Sequence, residues 1–241
     1  MSEKTVSYGT STIAEMTGGI ILASFKKDLS VRESSYQSEA ELERQLIENL
    51  VAQGYEFIKI KSGEDLYGNL KLQIEKLNNV SFSDEEWSRF LVEYLDTPND
   101  GMIEKTRKIQ EDYIYDFVFD DGHLKNIKII DKKNIHNNFL QVTNQVRGEG
   151  KSQNRYDVTI LVNGLPLVHI ELKKRGVNLH EAFNQIHRYS KESFNSEKSL
   201  YKYVQIFVIS NGTYTRYFAN TTTQSKNNYE FTYSKTNKTD F

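Results

Sequence analysis

RYDVTILVNGLPLVHIELKK, residues 155–174, reads as two strands joined by a tight turn at Asn163-Gly164. Val158, Ile160, Val162, Val168, Ile170 and Leu172 fall on even positions and make one apolar face, which alternation assigns to the core. The odd positions, Asp157, Thr159, Leu161, Leu167, His169, Glu171 and Lys173, make the other, polar side. A strict two-residue loop would pair Val162 with Leu165 and put Asp157 on the face opposite Glu171, because a one-residue slip inverts every side chain. The pattern therefore predicts a three-residue loop, Val162-Asn163-Gly164, with Gly164 left-handed in a bulge. Pro166 has no N–H and suits a bulge or a strand start. Asp157 is then expected opposite His169 and diagonal to Glu171. Glu171 and Lys173 lie roughly 6–7 Å apart along one face.

Charged groups are seldom placed on such a hairpin for stability. Two carboxylates converging on a hard divalent cation, with an ammonium alongside, are the parts needed to hydrolyse a phosphodiester. The cation neutralises charge in the transition state and lowers the pKa of the attacking water. Asp157 and Glu171 are the candidate ligands for Mg²⁺, with the backbone carbonyl of Leu172 as a further one. Lys173 is placed to stabilise the developing charge or orient the water. The same three residues also read as an ion-pair patch on an exposed strand face, and spacing alone does not separate the two readings.

Outward from the hairpin, EAFNQIHRYSKESF puts Gln185 and Tyr189 at i and i+4 on one helix face, either toward the site or toward solvent. The upstream SEAELERQLIENLVAQG is a helix with Ser38 as cap, Glu41 three residues on, a buried stripe of Leu42, Leu46, Ile47 and Leu50, and Gly54 as its stop. YEFIKI reads as a strand. Residues 64–78 and 83–95 read as helices capped by Asp65 and Ser83, and Pro98–Gly101 as a turn or linker. YIYDFVF, Lys125–Ile130, Phe139–Val146, YVQIFVIS and TYTRYFA read as strands, with Gly148–Asn154 a loop and YEFTY a strand-like island in a polar tail. This order predicts an α/β (α+β) fold with a mixed central sheet flanked by helices.

Composition narrows the function classes. The 241 residues suffice for one sizeable core. The absence of cysteine excludes disulfides, thiolate metal sites and a cysteine nucleophile, and fits the cytoplasm. No apolar run approaches membrane-spanning length and the N-terminus lacks a signal-peptide pattern. The net charge of −2 hides an asymmetry: residues 1–120 hold 13 basic and 23 acidic side chains, residues 121–241 hold 18 and 10. The basic half carries the Asp157–Lys173 cluster, the sign expected beside a phosphate backbone. No Ser–His–Asp arrangement with a nucleophile elbow is present. His180 and His187 read as helix surface; His169 lies beside the site with either a structural or a substrate-contacting reading.

The stretches SEAELERQLIENLVAQGYEF, NFLQVTNQ, RYDVTILVNGLPLVHIELKK, EAFNQIHRY and QIFVISNGT closely resemble the N-terminal endonuclease part of the restriction (motor) subunit of type I restriction–modification enzymes. The resemblance implies a PD-(D/E)xK nuclease core of restriction-endonuclease type with Asp157, Glu171 and Lys173 as its motif, and a RecB-like Gln-xxx-Tyr motif in Gln185 and Tyr189. Tyr156 stands where the motif's name has Pro. The family usually carries an acidic residue on the first helix near the metal; Glu39 and Glu43 are candidates, Glu43 preferred. It further implies Mg²⁺ as cofactor, double-stranded DNA as substrate, and methyltransferase (M) and specificity (S) subunits as partners. Cleavage is then non-specific and follows ATP-driven translocation. ATP would belong to the full-length subunit only, since no GxxxxGK(S/T) loop occurs here. On this basis residues 1–35 are expected to be an N-terminal arm, 36–220 the endonuclease domain, and 221–241 a tail or the start of a linker to helicase domains. Alternatives are a junction-resolving or repair nuclease, and a non-catalytic module docking the motor on the methyltransferase core.

Overall fold

The computed structural model describes residues 9–14, 22–26, 38–148, 154–192, 199–220 and 233–235. Contacts divide the chain into two units, Met1–Tyr36 and Gln37–Phe241. In the first, β1 (Gly9–Ala14) and β2 (Leu22–Lys26) form an antiparallel pair with a register shift between Thr12 and Ala14.

The second unit is built on a seven-stranded mixed sheet in the order β11-β10-β9-β8-β7-β6-β3. Its strands are β3 (Glu56–Phe57), β6 (Leu140–Arg147), β7 (Arg155–Val162), β8 (Leu165–Leu172), β9 (Ile206–Ser210), β10 (Thr215–Ala219) and β11 (Tyr233–Lys235). β3–β6 and β8–β9 run parallel and the other neighbours antiparallel. A parallel step needs a crossover, which α5 (Leu179–Glu192) supplies between β8 and β9. The predicted mixed α/β architecture, helices on both faces of a central sheet, is the one observed.

Both faces of the β7–β8 hairpin are buried, which corrects the one-sided assignment. On the even face Val142, Val158, Ile170 and Leu172 pack on Leu42, Leu46, Ile47 and Leu50 of α1 (Glu39–Ala52). The larger core lies on the odd side, where Leu161, Leu165, Phe207 and Ile209 meet Leu66, Leu70 and Ile74 of α2 (Gly63–Asn78), and Ala182, Phe183 and Ile186 of α5. A sheet with parallel pairs among its inner strands is covered on both sides, so alternation alone does not show which face is wet. Thr159, His169 and Glu171 are consequently fully buried in the larger core.

The turn also differs from expectation. Val162 pairs with Leu165, so the loop is the two residues Asn163 and Gly164, at φ +51° and +82°. Two successive left-handed residues match the twist of the flanking strands. The register is recovered by a bulge: Ile160 pairs with Val168 and Leu161 with Pro166, leaving Leu167 as the extra residue. Asp157 and Glu171 thereby keep a common side despite the short turn. Thr159, not Asp157, stands opposite His169. Asn163 is buried and its side chain is used fully. The amide donates to Ile129 O (3.0 Å) and Asn138 Oδ1 (2.8 Å), and its oxygen accepts from Phe139 N (2.8 Å).

The α2 cap is Ser62, not Asp65. Ser62 Oγ accepts from Asp65 N (3.2 Å) while Asp65 returns to Ser62 N (3.2 Å) and Lys61 N (2.9 Å), a reciprocal box one turn wide. Ser83 caps α3 (Asp84–Phe90) as predicted, and the helix widens into a π turn over Leu91–Leu95. An unpredicted α4 (Met102–Gln110) follows the Pro98–Gly101 turn and inserts the fully buried Lys105 under that π turn. Lys105 Nζ donates to Leu95 O and lies 3.3 Å from Asp96 Oδ1, while Tyr203 OH donates to the same carbonyl (2.7 Å). The carbonyls that the wide turn strands are satisfied this way. β4 (Ile114–Val118) and β5 (Leu124–Lys128) form a separate hairpin. Residues 149–153, most of the predicted Gly148–Asn154 loop, and most of the YEFTY island lie outside the described residues. Among the described residues no helix is long and apolar enough to cross a membrane.

Candidate active site

Asp157 enters near the start of β7, and Glu171 and Lys173 at the end of β8, so the hairpin brings the three predicted residues together at its open end. Asp157 Oδ2 accepts the backbone N–H of Leu172 at 2.9 Å. The next amide, Lys173 N, bonds Ser210 O on the other flank at 2.8 Å, and Lys174 N bonds Glu39 Oε1 at 3.2 Å. Three successive N–H groups leaving β8 are therefore each held. Glu171 is fully buried; its Oε1 lies 3.4 Å from Lys173 Nζ and its Oε2 3.3 Å from His169 Nε2.

Space for Asp157 comes from β6. Asn144 pairs with Val158 and Val146 with Tyr156, but Gln145 adopts φ +55° and makes no ladder pair with Asp157. A left-handed glutamine in a strand is strained by about 1–2 kcal/mol and persists because its surroundings hold it. The holder is Glu43 of α1, whose carboxylate accepts from both the Asn144 and the Gln145 side-chain amides. Asn144 and Gln145 were not expected from sequence, since a positive φ in a polar strand end carries no local signal.

Gln185 and Tyr189 sit on the buried side of α5. Gln185 donates to Tyr189 OH, which donates in turn to Arg155 O at 2.9 Å. This strut fixes the start of β7 two residues before Asp157. Tyr156 fills the aromatic wall between, 5.2 Å from Tyr189 and 4.3 Å from Tyr201 by ring centroids. Tyr189→Phe should lower the free energy of urea unfolding by about 1–2 kcal/mol, by leaving the Arg155 carbonyl unpaired.

Burial, followed by repulsion from Glu171, raises the Asp157 pKa to about 7, against the opposing Leu172 N–H and the Lys173 charge. Burial likewise raises Glu171 to about 7, opposed first by Lys173. The two acids interact and titrate as a pair. Burial lowers His169 to about 4, so its imidazole is neutral near pH 7. Both carboxyls hold protons more tightly than in an unfolded chain, where they titrate near 4. That stabilisation is complete below about pH 4 and is lost as the pH rises through about 7. The metal-free chain should therefore unfold at a lower urea concentration at pH 8 than at pH 6. Asp157→Asn should flatten that slope; an unchanged slope would contradict the coupling.

The donors that meet here are oxygens on two strands, with one ammonium. Among the described residues no three His, Cys, Asp or Glu side chains are grouped to hold a metal ion.

Comparison with known proteins places the chain in a family. The family described as the type I restriction enzyme R protein N terminus matches residues 36–226. The chain is 58% identical over 224 residues to the type I restriction enzyme EcoprrI endonuclease subunit of Escherichia coli, covering 92% of this chain and 71% of that one. A Staphylococcus aureus (strain MSSA476) type I restriction enzyme endonuclease subunit is 38% identical over 206 residues, 83% of this chain but 21% of its own length. A Staphylococcus saprophyticus counterpart is 38% identical over 190 residues, 77% of this chain and 20% of its own. The chain thus spans about a fifth of the staphylococcal relatives' length, and with its match over residues 36–226 it belongs to the family of type I restriction enzyme R protein N-terminal regions.

Proposed function

We propose that this chain is the Mg²⁺-dependent endonuclease module of a type I restriction enzyme R subunit, hydrolysing phosphodiester bonds of double-stranded DNA. The observation that carries the reading is the meeting of Asp157, Glu171 and Lys173 at one end of the β7–β8 hairpin. The donor set fits the cation: carboxylate oxygens suit a hard divalent ion, and Mg²⁺ keeps several waters, so two protein carboxylates suffice without a preformed cluster. Asp157 and Glu171 are the ligands in this reading, with the Leu172 carbonyl beside them. Glu43 stays the first-helix candidate of this reading, although among the described residues it is not grouped with the other two and its carboxylate accepts from the Asn144 and Gln145 amides. A bound divalent cation would supply charge neutralisation and a more acidic water.

The remaining roles fall to the chain itself. Lys173, whose side chain is 13% exposed, sets its ammonium where negative charge grows on the phosphoryl oxygens. Asp157 and Glu171 must both be ionised for ligation, so cation binding should strengthen as the pH rises through about 7. Gln185 and Tyr189 hold the β7 entry in place.

In this reading residues 36–220 are the endonuclease domain, 1–35 an arm, and 221–241 lead toward motor domains of the longer subunit. Those domains would bind ATP and translocate DNA in the cytoplasm, in complex with methyltransferase and specificity subunits, and cutting would be non-specific in sequence. The test is plasmid cleavage by the assembled complex with Mg²⁺ and ATP, followed by sequencing of the DNA ends. We expect scattered ends, and no cutting in EDTA. Cutting that persists in EDTA, or ends clustered at one sequence, would overturn the reading.

A further inference from the structure

We propose that His169 is the positioning residue for Glu171: its Nε2 holds Glu171 Oε2, so that the other carboxylate oxygen, beside Lys173, is the one presented to a divalent cation. This rests on the site reading given under Proposed function.

His169 is fully buried and has no surface of its own facing solvent. It stands opposite Thr159 across β7 and Phe207 across β9. Four rings meet it edge to face: Tyr156 at 5.6 Å, Tyr189 at 6.2 Å, and Tyr201 and Phe207 each at 6.3 Å between centroids. An apolar side chain would fill such a box without the cost of burying ring nitrogens. The imidazole adds polar atoms to this box: a ring hydrogen bond to the Val158 backbone, and Nε2 3.3 Å from Glu171 Oε2.

Glu171 has three side-chain torsions, and with one oxygen tied its carboxylate loses the freedom to swing. Its two oxygens then have different neighbours: Oε2 the imidazole, Oε1 the Lys173 ammonium at 3.4 Å. When Glu171 is ionised, as a ligand must be, a hydrogen bond between the two requires the imidazole form with its hydrogen on Nε2. Hydrogen-bonded carriers of this kind keep ligating carboxylates oriented, and their loss weakens metal binding.

The test is calorimetric titration of the chain with Mn²⁺ alone, with urea midpoints measured in parallel. Glutamine places its amide nitrogen four bonds from Cα, as Nε2 is in histidine; phenylalanine keeps the flat ring and loses the donor. His169→Phe should weaken Mn²⁺ binding roughly 10–100-fold, and His169→Gln should stay within about threefold of wild type. If the Phe variant does not fold, His169→Asn, a polar chain one bond too short, should show the same loss. Wild-type affinity in the Phe or Asn variant, or a Gln variant as weak as either, would overturn the proposal. Absence of Mn²⁺ binding by the wild-type chain, or undiminished binding by Asp157→Asn, would instead overturn the site reading and this inference with it.

Discussion

Exchanging Asp157 for asparagine is expected to reduce double-strand cleavage by the assembled enzyme on the order of 10³-fold or more, with the chain still folded. Asparagine is the informative substitution because the aspartate has two roles. Its Oδ2 accepts the Leu172 N–H, closing the strand ladder, and an amide oxygen in the same place can still do so. What disappears is the negative charge that would bind the cation. Fold and chemistry are thereby separated: urea midpoints at pH 8 should rise, because the cost of burying the charge and its repulsion with Glu171 are both gone, while cutting falls away. ATP hydrolysis by the same complex should continue, since the motor domains lie elsewhere in this reading. Cleavage at wild-type rate by the Asp157→Asn enzyme would remove the basis of the proposed site.

Gly164→Ala is expected to cost about 3–5 kcal/mol, a large part of the stability of an ordinary domain. Two effects combine. Gly164 has φ +82°, where an L side chain is disfavoured. A Cβ there would also lie 2.7 Å from Leu70 Cα and 3.1 Å from Leu70 N, backbone atoms of α2 that cannot turn aside. By contrast, a Cβ at Gly212 would meet the end of the Leu42 side chain, which can rotate away, so Gly212→Ala should cost markedly less despite a φ of +77°. Urea unfolding of the two variants side by side checks the difference. Equal midpoints would mean that the hairpin tip is not pressed on α2.

The parts of the site that are legible in the sequence depend on short-range regularity. Asp157, Glu171 and Lys173 can be placed together from strand alternation, and the Leu42–Leu50 stripe marks the α1 face that covers one side of the sheet. The errors arise where a distant contact decides. The bulge at Leu167 is chosen because it lets a tight turn and buried faces coexist; the same residues with a wider loop satisfy alternation equally well. The backbone reversal at Gln145 depends on Glu43, about a hundred positions upstream, and nothing near Gln145 announces it. α4 was concealed because MIEKTRKIQ buries only Ile109 and, against expectation, a lysine. The second covered face of the hairpin could not be seen at all, since its polar residues look like solvent-facing ones until the aromatic wall around His169 is in place.

The grip on the last amides of β8 bears on how such an enzyme is restrained. Leu172, Lys173 and Lys174 are each tethered to a different neighbour, so the backbone beneath the proposed cleavage centre has no slack to take up if DNA binds there. A blade already set in its handle cannot be sheathed by unfolding its edge. On the proposed reading, control of cutting then rests on when DNA is delivered to the site, and hydrogen exchange at those three amides should be equally slow with and without DNA.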